Sequence, residues 1–226
     1  MDLTVTPALR GLIDDALDED LVGFDVSSAT FEPNDRSTAQ LVAGEPTVIC
    51  GMPVVEAVFE RLGGEIAWDY RAQEGDHVVA GATLARAEGP TQTLLRGERV
   101  ALNFLQRMCG IASKTRKFVE ALDDPSTDVV DTRKTLPGYR QLDKYAVRVG
   151  GGRNHRFNLG GGVIVKDNHI AAAGSIESAV EQVRQAAPPT LRIEVEIESL
   201  DQIEPALEAG ADILMLDNMA TETMAR

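Results

Sequence analysis

Residues 131–170 concentrate the side chains that could bind an anionic substrate. This window holds eight Lys and Arg against three Asp and no Glu, a formal charge of +5, whereas the whole chain carries −14. Arg grips carboxylate or phosphate with a planar fork of donors, and Lys supplies a compact charge. Because clustered cations repel one another unless an anion lies among them, we expect a ligand with several negative charges. The candidate cations are Arg133, Lys134, Arg156 and Lys166, with His155 nearby.

Two carboxylates, Glu196 and Asp217, are the acidic candidates for the same site. Beside a polyanion, carboxylates make sense if a divalent cation lies between, since Mg²⁺ prefers carboxylate and phosphate oxygens. They could instead be salt-bridge partners of the Lys and Arg side chains. The residues alone leave both roles open, and we favour the metal-related one.

Two glycine-rich stretches, VGGG at 149–152 and LGGG at 159–162, flank the sequence RNHRFN. Glycine lets a backbone approach a ligand closely. Neither stretch matches a known phosphate-binding motif in context, so they are weak evidence for phosphate loops. Flexible hinges of a lid are an equally good explanation.

The charge and composition of the chain argue against several other functions. Outside the basic window the charge is −19, which would repel a nucleic-acid backbone, and the basic residues lack interleaved aromatic side chains for base stacking. The N-terminus does not resemble a signal peptide, and no apolar run is long enough to span a membrane. We therefore expect a soluble, cytoplasmic protein. Cys50 and Cys109 lack the spacing of a zinc site, and we expect two buried thiols.

The second half of the chain alternates strand-like with helix-like stretches, which predicts parallel strands joined by crossover helices. A helix is predicted from Ser175, and Ser199 with Gln202 forms a capping-box pattern before a helix that stops at Gly210. Ligands bind at the C-terminal ends of parallel strands. The predicted strands are 128–132, 162–167, 191–197 and 211–217, and the candidate residues Asp131 to Lys134, Lys166, Glu196 and Asp217 lie at or near their ends.

The first half predicts a helix over residues 3–18, followed by short β-rich pieces that glycine and proline punctuate. From Thr91 a helical pattern runs to Met108, and Gly110 is expected to break it. This change from short β-rich pieces to a helical pattern predicts one domain at 1–108 and another at 109–226.

Four stretches resemble one family. They are GERVALNFLQRMCGIASKTRKFV (97–119), the window 131–170, IEVEIESL (193–200) and ILMLDNM (213–219). They are similar to quinolinate phosphoribosyltransferases, the decarboxylating nicotinate-nucleotide pyrophosphorylases, and LVGFDVSSATF (21–31) fits more loosely. The resemblance implies an N-terminal α/β sandwich followed by an α/β barrel, in a homodimer with the site between subunits. It also implies that quinolinate and phosphoribosyl pyrophosphate react, with Mg²⁺, to nicotinate mononucleotide, pyrophosphate and CO₂ in NAD biosynthesis.

The resemblance also assigns roles to residues of this sequence. Arg99 would reach the quinolinate carboxylates across the subunit interface, and Thr132 would also bind substrate. Lys134 and Lys166 would serve the substrate anions, including the pyrophosphate, and would act in catalysis together with Glu196 and Asp217. These two acids would lie near the ribose and Mg²⁺. Further quinolinate contacts would come from Arg133, His155 and Arg156.

The sequence departs from the family at two places. Cys109 stands where the family usually has Ser, and as a small buried residue it is expected to be neutral. The family continues beyond the position matched by Arg226, with the remaining barrel strands and the loops that bind the ribose 5′-phosphate. We therefore expect an incomplete barrel, a fragment that is inactive or poorly soluble by itself.

Three alternatives remain open from the sequence. A paralogue on the same scaffold would use another pyridine or base as acceptor. A non-catalytic anion-binding protein would keep the cationic site without turnover. A nucleic-acid-binding protein would bind in a way that weakens steeply with salt.

Overall fold

The computed structural model describes residues 3–23 and 25–226, so Phe24 of the stretch LVGFDVSSATF lies outside the described residues. Packing divides the chain into two compact units, Met1–His155 and Arg156–Arg226. In chain order the first unit contains α1 (Pro7–Asp20), β1 (Arg36–Val42), β2 (Thr47–Val48), α2 (Met52–Leu62), β3 (Ala67–Tyr70), β4 (His77–Val78), β5 (Thr83–Pro90), α3 (Thr91–Leu122) and α4 (Arg140–Val149). The second contains β6 (Val163–Val165), α5 (Asp167–Ala173), α6 (Ile176–Ala186), β7 (Ile193–Ile197), α7 (Ile203–Glu208), β8 (Ile213–Leu216) and α8 (Thr221–Met224).

The first unit combines antiparallel strands with helices, as expected for the N-terminal α/β part of the fold. One sheet has the strand order β1-β5-β3, and β2 pairs with β4 in a separate ribbon. The predicted first helix is confirmed, since Thr6 caps α1 by accepting a hydrogen bond from the backbone N–H of Leu9. Its apolar face buries Leu9, Ile13 and Leu17, which is the amphipathic pattern read from the sequence.

The predicted break at Gly110 is wrong, because α3 passes through this residue and runs for 32 residues, from Thr91 to Leu122. A glycine inside a helix costs about 1 kcal/mol relative to alanine. Burial of Met108 and Ala112 on either side of Gly110 offsets that cost. The predicted domain boundary after residue 108 lies inside this helix, and it stays a prediction.

The glycines at 150–152 serve packing against α3. A Cβ atom on Gly150 would lie 2.5 Å from the carbonyl oxygen of Ala112 and 2.6 Å from Cβ of Thr115. A Cβ on Gly152 would lie 2.9 Å from the Thr115 side chain and 3.0 Å from the carbonyl oxygen of Val129. The absence of side chains therefore lets the turn after α4 approach α3 closely, a role that the sequence pattern did not indicate.

Both cysteines are buried in the first unit, as predicted. The backbone N–H of Cys50 donates to Sγ of Cys109 (3.3 Å), and neither thiol forms a disulfide. Burial raises the pKa of the Cys109 thiol to about 11, and burial together with the nearby Glu74 carboxylate raises that of Cys50 further. Since the thiolate is the reactive form, both thiols are chemically quiet at neutral pH.

We therefore expect both cysteines to resist modification in the native protein. A chromogenic disulfide reagent added at neutral pH should release no aromatic thiol within minutes, and should titrate both cysteines after unfolding in guanidinium chloride. The absorbance of the released thiol measures the reaction, and the denatured sample is its control. Rapid modification of the folded protein would contradict the buried placement.

The second unit contains a parallel sheet with the strand order β6-β7-β8, in agreement with the βα pattern of the sequence. The capping box of Ser199 and Gln202 is present, and α7 ends before Gly210. The predicted strand at 128–132 is wrong: this segment, which belongs to the first unit, makes a single parallel bridge between Val130 and Arg153.

Side chains tie the N-terminal ends of β7 and β8 together. The carboxylate of Asp212 accepts a hydrogen bond from the backbone N–H of Ile193 (2.7 Å) and another from Nη2 of Arg184 (3.2 Å). The hydrogen bond from Ile193, more than the charge of Arg184, holds the pKa of Asp212 below its usual value. The amino-terminal edge of the sheet is thus fixed by polar contacts at positions distinct from the predicted site.

Among the described residues, the longest apolar helical stretches fall short of what a membrane crossing requires.

Candidate active site

The C-terminal edge of the parallel sheet brings together three of the predicted residues. Val165 of β6 pairs with Val195 of β7, so Lys166 and Glu196 follow side by side. The Nζ atom of Lys166 forms an ion pair with the Glu196 carboxylate. Ile197 pairs with Leu216, the residue before Asp217, which places Asp217 at the same edge. The sequence predicted this grouping from the strand ends.

Lys166 is held by its backbone while its charged end stays accessible. Its backbone N–H donates to Nδ1 of His169 (2.9 Å), and this contact closes a capping box at the start of α5. The Lys166 side chain is 42% exposed, whereas that of Glu196 is 14% exposed. The lysine can therefore turn toward an anion, while the carboxylate behind it orients the ammonium group.

Asp217 is fixed by hydrogen bonds at the end of β8. Its backbone N–H donates to the carbonyl oxygen of Ile197 (2.9 Å), and Nδ2 of Asn218 donates to its carboxylate (2.9 Å). Asn218 has a φ of 53°, a left-handed conformation that asparagine tolerates better than most residues. This turn ends the strand and leaves Asp217 half-buried.

Arg156 begins the second unit and folds back on the second glycine-rich stretch. Its Nη1 atom donates to the carbonyl oxygen of Gly162 (2.8 Å), and its side chain lies close to Gly161. Gly161 and Gly162 thus adjoin a predicted substrate residue, although Leu159–Gly161 forms a short 3-10 turn.

In the first unit, the segment 131–134 and the turn after α4 carry the other predicted residues. The Thr132 hydroxyl accepts a hydrogen bond from the backbone N–H of Lys134 (3.0 Å), and Lys134 is exposed. The Nε atom of Arg133 is buried and has no hydrogen-bond partner in the described structure. Nε of Arg96 and of Arg148 is in the same state, so this N–H does not by itself mark a site, but an anionic ligand near Arg133 would supply its acceptor.

Arg99 lies on α3 with an exposed side chain, within the first unit. Its position leaves the guanidinium available to another molecule. The proposed role of Arg99 across a subunit interface stays a prediction.

Two polar residues of the first unit, the buried Lys144 and the exposed Asn154, were not among the predicted site residues. The Lys144 side chain is 3% exposed and forms an ion pair with Asp131. Nδ2 of Asn154 donates to the Asp131 carboxylate (2.6 Å), and the backbone N–H of His155 donates to it as well (2.9 Å). One signal was available: Lys144 lies in the otherwise mostly apolar run LDKYAV, whose helical face points inward.

The carboxylates fit a metal ion only together with a substrate. In the described part of the chain, no group of three or more His, Cys, Asp or Glu side chains is arranged to hold a metal. Glu196 bonds to Lys166, the alternative that the sequence left open, and Asp217 accepts from Asn218. Mg²⁺ is commonly held by one or two carboxylates, waters and substrate phosphates. This donor set is compatible with Mg²⁺ that arrives with a diphosphate.

Comparison with known proteins identifies the family. Models of the N-terminal and C-terminal domains of quinolinate phosphoribosyl transferase match residues 25–109 and 111–226. The chain is 42% identical to a probable nicotinate-nucleotide pyrophosphorylase [carboxylating] of Bacillus subtilis over 216 residues, 96% of this chain and 75% of that protein. It is 44% identical to the nicotinate-nucleotide pyrophosphorylase [carboxylating] of Homo sapiens over 218 residues, 96% of this chain and 72% of that protein.

Solved structures agree with the sequence comparison. The crystal structure of NadC from Streptococcus pyogenes superimposes with a TM-score of 0.94 at 44% identity, covering 99% of this chain and 79% of that one. The nicotinate-nucleotide pyrophosphorylase from Francisella tularensis gives a TM-score of 0.89 at 33% identity, covering 99% and 80%. The chain has the α/β fold of these proteins and belongs to the quinolinate phosphoribosyl transferase family.

Proposed function

We infer that this chain transfers the phosphoribosyl group of phosphoribosyl pyrophosphate to quinolinate, with decarboxylation, and so forms nicotinate mononucleotide for NAD biosynthesis. The observation that carries this inference is the grouping of Lys166, Glu196 and Asp217 at one strand edge, in a chain of this family. The products of the reaction are nicotinate mononucleotide, pyrophosphate and CO₂.

Quinolinate is a dianion, and the Arg and His residues are suited to bind its two carboxylates. Arg133 has an unsatisfied buried Nε, and a carboxylate oxygen would accept its hydrogen bond. We assign the same substrate to Thr132, His155 and Arg156, and to Arg99 from the partner in a homodimer. Held by these contacts, the pyridine nitrogen would be aligned with C1 of the ribose, which lowers the entropic part of the barrier.

The leaving pyrophosphate requires positive charge. As the bond from C1 to pyrophosphate breaks, positive charge grows on the ribose and negative charge on the departing oxygens. We assign the departing charge to Lys134 and Lys166, and the oxocarbenium-like ribose to the carboxylates of Glu196 and Asp217. The accessible ammonium of Lys166 fits this role because it can exchange part of its contact with Glu196 for a phosphate oxygen.

We propose that Mg²⁺ is bound near Glu196 and Asp217, chiefly through substrate oxygens. When bound, it would neutralise the diphosphate and so stabilise the leaving group. Loss of CO₂ follows ribosyl transfer because the positive pyridinium nitrogen stabilises the carbanion left on the adjacent ring carbon, and this carbon then takes a proton from water. The protein therefore needs no strong base for this step. A cytoplasmic location agrees with soluble substrates and is part of the same proposal.

Replacement of Arg133 by Ala tests the quinolinate assignment. We expect KM for quinolinate to rise and kcat/KM to fall by about 1.5–3 kcal/mol, the scale of a charged hydrogen bond. The measurement is quinolinate-dependent release of CO₂ in the presence of phosphoribosyl pyrophosphate and Mg²⁺. It is made on this chain and on a chain extended at its C-terminus to the length of its relatives. Unchanged kinetics would remove Arg133 from the site.

The control for this experiment is Arg10→Ala, since Arg10 is exposed on α1. The same removal of a guanidinium there should leave both kinetic constants unaltered. Nicotinate, which lacks one carboxylate, serves as the second control. If it were the better acceptor, the paralogue alternative would replace quinolinate transfer.

A further inference from the structure

Four residues of the first unit, Asp131, Lys144, Asn154 and His155, form a polar network around a buried ion pair of Lys144 and Asp131. The Asp131 carboxylate accepts hydrogen bonds from Nζ of Lys144, Nδ2 of Asn154 and the backbone N–H of His155. Nζ of Lys144 donates also to the carbonyl oxygen of His155 (3.1 Å), and Nδ2 of Asn154 to that of Lys144 (2.8 Å). The network therefore joins the segment that begins at Asp131 to the turn that carries His155.

This network follows directly on the short parallel pairing of Val130 with Arg153. The backbone N–H of Arg153 donates to the carbonyl oxygen of Val129 (2.8 Å), and that of Asp131 to the carbonyl oxygen of Arg153 (3.1 Å). In a parallel ladder, the next bond would run from the His155 N–H to the Asp131 carbonyl oxygen. Instead, that N–H donates to the Asp131 side chain. Side chains thus hold the two segments together at the point where the backbone pairing ends.

Stability alone does not explain a buried ion pair at this place. The side chains of Lys144 and Asp131 are 3% and 6% exposed. Removing both charges from water costs several kcal/mol, and apolar residues of similar volume are often equally stable or better. Lys144 also has no reach to a ligand, because it is buried and bonded to Asp131 and His155. Its contribution is a fixed geometry for its neighbours.

We propose that Asp131 and Lys144 are positioning residues, which set the places of His155 and of Thr132–Lys134 for the carboxylates of quinolinate. This rests on the proposed function for the identity of the ligand, but the geometry of the pair can be measured without turnover. A misplacement of about 1 Å in substrate-orienting groups can cost on the order of a hundredfold in rate. Because both segments are irregular backbone, the ion pair that joins them would hold the proposed substrate-binding side chains in place.

The test compares two double substitutions, each of which removes an ion pair with one member on α4. Lys144→Met with Asp131→Asn removes the buried pair while keeping its volume, so we expect the melting temperature to stay close to that of the wild type. Arg107→Met with Asp143→Asn removes the neighbouring pair, in which Nε and Nη2 of Arg107 donate to Asp143 (3.0 and 2.8 Å). This second pair joins α3 to α4 instead of the two segments of the network, which makes it the matched control.

The readout independent of activity is the imidazole NMR signal of His155. The chain has three histidines, so a His155→Gln variant assigns the signal. In the wild type and in the Arg107/Asp143 double variant, we expect one sharp His155 signal that shifts on titration with quinolinate. In the Lys144/Asp131 double variant, we expect a broadened or split signal in the ligand-free protein. KM for quinolinate should rise at least about tenfold there, with kcat changing less.

The outcomes separate this proposal from the proposed function. A disturbed His155 signal confined to the Lys144/Asp131 variant supports the positioning role even if neither the chain nor its form extended to the length of the family shows turnover, in which case the function is the failed part. An undisturbed signal in that variant overturns the positioning role, whatever the activity. So does a KM that matches that of the Arg107/Asp143 control.

Discussion

Replacement of Lys166 by Met is expected to lower kcat for nicotinate mononucleotide formation by about 100- to 1,000-fold, the usual effect of removing one preorganised electrostatic contact. Lys166 is the cation at the strand edge that combines a fixed backbone with an accessible ammonium group. Its loss would leave the departing pyrophosphate without that charge. Steady-state production of pyrophosphate measures the effect. Since the pair with Glu196 is partly solvent-exposed, stability should change by less than about 1 kcal/mol.

Two further variants distinguish a catalytic from a structural role of Lys166. Lys117→Met makes the same change at an exposed position of α3 and should be kinetically silent. Lys166→Met with Glu196→Gln relieves the carboxylate that the single variant leaves unpaired. If the double variant regained the activity of the wild type, Lys166 would only be neutralising Glu196, and the assignments of Lys166 to the pyrophosphate and of Glu196 to the ribose would both be wrong.

Replacement of Gly150 by Ala is expected to destabilise the first unit by about 1–3 kcal/mol or more, the usual cost of overpacking. The added methyl group would lie 2.5 Å from the backbone oxygen of Ala112, and that oxygen is held within α3. Gly150 has a φ of −69°, so the cost is steric and carries no contribution from backbone strain. Urea unfolding followed by the fluorescence of Trp68, the single tryptophan, measures it in this unit.

Gly110→Ala is the matched control for this experiment. Apart from neighbouring atoms of its own helix, no atom of the described structure lies within 4 Å of the position its Cβ would take. The same added methyl group should therefore stabilise the protein by roughly 0.5–1 kcal/mol, because alanine loses less backbone entropy than glycine. Equal effects at the two positions would show that the turn after α4 does not pack on α3 as described.

The spacing of apolar residues predicted correctly those helices and strands whose local sequence pattern agrees with their packing in the fold. The apolar run around β7 and the capping box at Ser199 were read correctly, since burial and backbone bonding follow directly from those patterns. The segment 128–132 has the composition of a strand, yet its pairing stops after one bridge because the Asp131 side chain takes the next backbone N–H. The local cost of Gly110 was visible in the sequence, but its compensation by packing on both sides was not.

The site was predictable to the extent that strand ends determine it. Parallel strands end at a common edge, so the spacing of the strands along the chain is enough to group Lys166, Glu196 and Asp217. The pairing of Lys144 with Asp131 was hidden, because a lysine on a helix is normally solvated, and only a tertiary contact shows that it is buried. Which polar side chains pair with each other depends on the tertiary packing and is not visible in the sequence.

The contacts of Asp212 with Ile193 and Arg184 stabilise the parallel sheet at the end opposite to the candidate site. Asp212 holds β7 and β8 together where they begin, whereas the residues proposed to bind substrate follow the ends of these strands. Substitutions at the N-terminal ends of β7 and β8 should therefore change the stability of the second unit more than its activity. Substitutions at the C-terminal ends should change the activity more than the stability.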